Sequence, residues 1–272
     1  MRAYWAALVV AAIAAALGIG GCGRASGPVS TQSPAEQQAA ALTLYQPCLL
    51  GGPMLRLIAA YQEQHPGADI LPHTYKPNEL PRKPSGPAVI VTAGDVEMAA
   101  LAKRGIVDAA RARTFAVNTY PLAVIAAAKG APDLKAVKDL ARPSVTRIAI
   151  DDPSQSSLGA AAQQALTRLG LWRAVQPKMV VPRPGTMVLA ELVEGKADAA
   201  VVFKDCLFET GKPPKTIRIV GDLPLDLYPT IPYQVAPMKN ETGREAARGF
   251  ADFLIGEEGK EALRKAGLKP RP

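Results

Sequence analysis

The feature that most restricts this chain is an alternation of short apolar runs with longer amphipathic segments, sustained from Leu42 to the C-terminal region. Leu42–Tyr45, Ala68–Leu71, Ala88–Thr92, Leu122–Ala128, Arg147–Ile150, Lys178–Val181, Ala199–Phe203 and Ile217–Val220 have the length and composition of strands. Met54, Leu57, Ile58 and Tyr61 recur at spacings of three and four, which predicts a helix from Pro53 to about Gln64. Proline suits its first position, where a missing N–H costs nothing. Further helices are expected at Asp95–Lys103, Ser157–Leu169, Thr186–Glu194, Arg244–Ile255 and Glu257–Lys265. Strand alternating with helix means an α/β fold with mostly parallel sheets.

Composition narrows the function. The 272 residues suit one large or two modest domains. A hydrophobic share of 48% and a charged share of 21% exclude disorder and collagen. Aromatics at 5% are too few for a stacking platform. His65 and His73 are the only histidines, which leaves no histidine-rich metal site and disfavours most hydrolases. The net charge of +8 favours anionic partners, but the cations are scattered and no nucleic-acid arm is present.

The N-terminus reads as an address. An apolar run from Ala6 to Leu17 is short for a bilayer span and right for a signal-peptide core. It ends in Ile19-Gly20-Gly21-Cys22, which resembles the lipobox of bacterial lipoproteins, with Cys22 as the lipidated first mature residue. Residues 1–21 are then a signal peptide and 22–41 a Gly/Ser/Pro/Gln tether. The body is expected to be exported and lipid-anchored at the cell envelope. Cys48 and Cys206 remain, an even number in an oxidising compartment.

In open α/β sheets, ligands bind beyond the carboxyl ends of strands, where loops enter helix N-termini. Four segments qualify here: Gln46–Gly52, His73–Lys76, Asp151–Ser157 and Phe203–Cys206. Their glycines and serines present backbone N–H groups at positive helix ends, a seat for an anion or simply a set of caps.

Several stretches, in shared order, resemble the molybdate-binding proteins of bacterial ABC importers, a branch of the two-lobed periplasmic binding proteins. They are Arg147–Pro153 through Leu158-Gly159, Ala165-Leu166, Leu169–Trp172, Gln176–Lys178, Glu194–Phe203, Leu101–Asp108 and Ala246–Phe250. The resemblance runs from Leu42 to Leu268. It implies two α/β lobes, 42–118 plus 234–272 and 119–233, joined by two crossing hinge strands. It further implies a small oxyanion of the molybdate or tungstate kind in the cleft, ABC permease subunits as partners, and neither enzyme activity nor a cofactor. Neutral hydroxyls and backbone N–H groups in a dry cleft select a dianion by size and protonation state.

Carried over residue by residue, the family's first serine falls at Cys48 with one inserted residue, or at Leu49 without it. The serine-rich loop after strand two becomes His73-Thr74-Tyr75-Lys76. Backbone donors fall at Leu158 and near Gly185, and the binding tyrosine is Phe203. Thr74, Tyr75 and Lys204 complete the expected ligand set, with Lys76 and Lys204 suited to an anion. Cys48, His73 and Cys206, with Asp205 nearby, are also a candidate soft-metal or thiophilic site for Zn or Cu(I). Cys48 and Cys206 are equally a candidate disulfide, or two packed thiols. A cysteine nucleophile with His73 as base is the enzymatic alternative, and no third orienting group accompanies it.

Overall fold

The computed structural model describes residues 41–75, 80–182, 188–208, 213–239 and 244–271. In chain order its strands are β1 (Leu42–Gln46), β2 (Ile70–Thr74), β3 (Ala88–Ala93), β4 (Arg113–Val117), β5 (Leu122–Ala127) and β6 (Ile148–Ala149). There follow β7 (Met179–Val180), β8 (Ala199–Phe203), β9 (Ile217–Leu223), β10 (Pro232–Pro237) and β11 (Lys269–Pro270). The helices are α1 (Gly51–Gln64), α2 (Asp95–Lys103), α3 (Ser157–Arg168), α4 (Trp172–Val175), α5 (Val188–Val193), α6 (Arg244–Ile255) and α7 (Glu257–Lys265).

Two sheets result, one ordered β11-β4-β10-β3-β1-β2 and the other β7-β6-β8-β5-β9. The chain passes from the first to the second after β4 and returns before β10, which gives a two-lobed α/β fold. Central strands are fully buried, as the apolar runs Ala88–Val91 and Ala199–Phe203 require. Helices cover the faces. Met54, Leu57, Ile58 and Tyr61 of α1 are buried, and Tyr61 meets Phe250 and Phe253 of α6 edge-on at 5.3 and 5.2 Å.

Two expectations need correction. Neither sheet is mostly parallel. Only β2, β1 and β3 in one sheet, and β7, β6 and β8 in the other, run parallel to their neighbours. The remaining pairings are antiparallel, because β5 and β10, by which the chain enters each sheet after a crossing, run against their neighbours, as does β11. The second strand also runs later than expected, over Ile70–Thr74, and so takes in His73 and Thr74. Pro72 is tolerated there because β2 is an edge strand with one unpaired side.

Candidate functional site

The carboxyl ends of the parallel strands face one another across the two sheets. β1 leads through Pro47 into a 3-10 turn at Cys48–Leu50, and β3 leads through Gly94 into α2. From the other side, β6 leads through the Asp151–Ser156 loop into α3, and β8 leads into a 3-10 turn at Asp205–Phe208. The Sγ atoms of Cys48 and Cys206 lie 3.5 Å apart, two thiols in contact between the lobes.

A second bridge lies beside them. Glu97 on α2 accepts from the Ser157 backbone N–H at 2.8 Å and from the Ser157 hydroxyl at 2.5 Å. The same hydroxyl accepts from the Val96 N–H at 3.2 Å. One carboxylate therefore occupies the first turn of α3, where helix N–H groups lack intrahelical acceptors. Ser156 caps that helix, accepting from the Gly159 N–H at 3.4 Å and donating to Asp151 at 3.1 Å. No acceptor is found for the Leu158 N–H among the described residues.

The electrostatics are acid-rich. Burial pushes the Glu97 carboxyl up, against the lowering effect of its bonds to Ser157. Burial raises Asp151 likewise, and lifts Asp205 to about 6. Tyr75 is held protonated chiefly by burial, with Glu97 and Cys48 adding to the effect, which places its hydroxyl within their electrostatic reach.

The expected ligand residues divide. Cys48 opens the turn after β1, Tyr75 follows β2, Leu158 stands in the first turn of α3 and Phe203 ends β8, while Thr74 closes β2 in register with Gln46. Lys204 does not present a spare cation, because its Nζ pairs with Asp222 at 2.6 Å. Gly185, Lys76 and Cys22 lie outside the described residues. The three-membered soft-metal site is not assembled. No group of three His, Cys, Asp or Glu suited to a metal occurs among the described residues, and His73 packs edge-on against Tyr45 at 5.3 Å. His73 sits exposed on the edge strand because β2 runs through it.

Glu97, Ser157 and Asp151 were not anticipated as a unit. Their only sequence signal is acidic and hydroxyl residues at two helix starts, which ordinarily means capping. A basic groove of about 690 Å³, lined by Arg111, Lys239 and Arg248 among others, is a separate feature. It includes Pro237, which pairs with Val89 near the start of β3, and so lies at the opposite end of the sheet from the cleft.

A family model for bacterial extracellular solute-binding proteins matches residues 42–269. The chain is 30% identical over 123 residues to YvgL of Bacillus subtilis strain 168, named as an ABC transporter substrate-binding lipoprotein, covering 45% of each chain. It is 25% identical over 123 residues to the molybdate-binding protein ModA of Escherichia coli K12, covering 45% of this chain and 46% of that one. These matches span about half the length of either relative. The periplasmic molybdate-binding protein of Azotobacter vinelandii has the same fold, with a TM-score of 0.58 at 22% identity over 85% of this chain and 100% of that one.

Proposed function

The chain belongs to the bacterial extracellular solute-binding protein family, and from that premise we propose that it is the lipid-anchored binding protein of an ABC importer, closing on a molybdate- or tungstate-like oxyanion. The observation that carries this reading is the start of α3, aimed into the cleft with a Leu158 N–H that no described residue accepts. A helix start with such a donor favours an anion without any buried counter-cation. Leu158 donates from the second lobe. Thr74 and Tyr75 close from the first lobe beside Cys48, and Phe203 walls the site with apolar surface. Cys22, preceded by Ile19-Gly20-Gly21, carries the lipid, and residues 23–41 tether the body to the membrane. The cleft then delivers its anion to the permease by opening.

The test is calorimetric titration of the mature chain with molybdate, tungstate, sulfate and phosphate. Molybdate and tungstate are expected to bind at one site, about tenfold or more tighter than the other two. Absence of heat with all four would end the oxyanion reading.

The thiol contact has its own consequence. In an oxidising envelope Cys48 and Cys206 form a disulfide, passing two electrons and two protons to an envelope disulfide oxidant, and the bond ties the lobes near the hinge, about which the cleft opens. Thiol counting on denatured, unreduced mature chain carrying Cys22→Ser is expected to find none, and two after reduction. Two thiols before reduction, persisting after oxidised glutathione, would leave the pair as packing residues.

A further inference from the structure

We propose that Glu97 is a built-in competitor for the oxyanion seat: its carboxylate bridges the lobes at the start of α3 and must be displaced for the ligand to enter. The inference rests on the oxyanion reading and adds a residue that governs affinity.

The geometry is that of a bound anion. Glu97 takes the Ser157 N–H on one oxygen and the Ser157 hydroxyl on the other, at 2.8 and 2.5 Å. Charge-assisted bonds of this length are the strong class. The partners are 60 residues apart in sequence and stand on helices packed against different sheets. Glu97 therefore supplies from the first lobe what a ligand oxygen would supply from the cleft.

The backbone is arranged to permit this approach. Gly94, just before α2, has φ 137°, a conformation that L side chains rarely adopt. A Cβ there would collide with the Ser157 side chain, so only glycine lets the two helix starts come this close. A cap for α3 alone needs no such provision, because Ser156 already supplies one from within the chain.

Charge makes the two occupants exclusive. Leu158 follows Ser157 directly, so a dianion accepting from its N–H would lie beside the Glu97 carboxylate in a cleft that also holds Asp151. Like charges at that separation repel strongly where water is excluded. Entry thus requires Glu97 to swing away or to take up a proton, and burial, which makes its carboxyl a weaker acid than usual, favours the protonated form.

Three variants of the mature chain test this: Glu97→Gln removes the charge, Glu97→Ala removes the bridge, and Asp95→Asn removes an equal charge from an exposed site in the same first turn. Thermal unfolding checks that each is folded. By calorimetry with molybdate and tungstate, Glu97→Gln is expected to lower Kd tenfold or more, and Asp95→Asn to change it less than twofold. By small-angle X-ray scattering without added anion and with the Cys48–Cys206 pair reduced, Glu97→Ala is expected to show a larger radius of gyration than wild type, and to contract with molybdate. Wild-type binding with no gain in Glu97→Gln, or an equal gain in Asp95→Asn, overturns the competitor while leaving the oxyanion reading intact. Unchanged scattering overturns the bridge. No binding by any form overturns the oxyanion reading and the competitor with it.

Discussion

Gly159→Ala is expected to destabilise the protein by roughly 3 kcal/mol and to abolish oxyanion binding in whatever remains folded. A Cβ at Gly159 would press into the Asp151 carbonyl oxygen and lie 2.8 and 2.9 Å from the carbonyl carbons of Asp151 and Asp152. These are backbone atoms, so no side-chain rotation relieves the clash. The loop cannot retreat either, because Ile150 before it is fully buried and Ser156 after it caps the helix. Either α3 must back away from the cleft or the Asp151 loop must leave the end of β6. Both movements displace the Leu158 N–H. Gly52→Ala is the control, since nothing lies within 4 Å of a Cβ there and the residue is helical. Urea unfolding with calorimetric titration of both variants decides the matter. A loss below about 1 kcal/mol for Gly159→Ala, with binding retained, would show that the loop yields and that its contact with α3 does not set the site.

How much of this was legible in the sequence depends on where each signal was stored. α6 and α7 match the expected Arg244–Ile255 and Glu257–Lys265, and α1 and α3 come within a residue or two at their ends, because a stripe of apolar residues at helical spacing fixes them locally. β3, β5 and β8 were equally plain as continuous apolar runs. β4, β10 and β11 were not. Arg113–Val117 mixes charged and apolar residues, and Pro232–Pro237 is bounded by prolines that argue against a central strand, yet β10 lies between β3 and β4. β4 and β10 stand beside the lobe crossings, β11 lies near the C-terminus, and all three pair with strands far away in sequence. The site divides in the same way. The meeting of Cys48 with Cys206 followed from the rule that strand ends converge on ligands. The engagement of Lys204 could not be read, since Asp222 stands on β9, two strands away from β8. Glu97 and Ser157 looked like ordinary helix-start residues, and only their placement across the cleft makes them a pair.

Stability is expected to fall by roughly 2 kcal/mol as pH rises from about 4 to about 6 on account of Asp205, and Asp205→Asn should remove that dependence. The carboxyl sits in the turn after β8, with burial pushing it up to about 6 against lowering bonds from the Cys206 N–H and the Tyr233 hydroxyl. Tyr228 and Tyr233 lie within its electrostatic reach, and both tyrosines are held protonated chiefly by burial. The Tyr233 hydroxyl is shared with the Asn118 side chain at 3.2 Å, next to the first lobe crossing, so the carboxyl is tied to the hinge. The sign follows from proton counting. Below the ordinary aspartate range, folded and unfolded chains both hold the proton and Asp205 contributes no difference. Between that range and about 6, the unfolded chain has released the proton while the folded chain retains it, so rising pH favours unfolding. Above about 6 both are ionised and the deficit stays constant. Asp198 and Asp139 act in the opposite sense, since backbone hydrogen bonds hold both below the usual range, and their contributions are lost as acid is added. The comparison of wild type with Asp205→Asn cancels them. Urea unfolding at pH 4, 5, 6 and 7 should show the variant gaining on wild type up to pH 6 and then holding its advantage. A difference that stays flat over those four points would mean that Asp205 titrates as an ordinary surface carboxylate, and that its link to Tyr233 does not bear on the hinge.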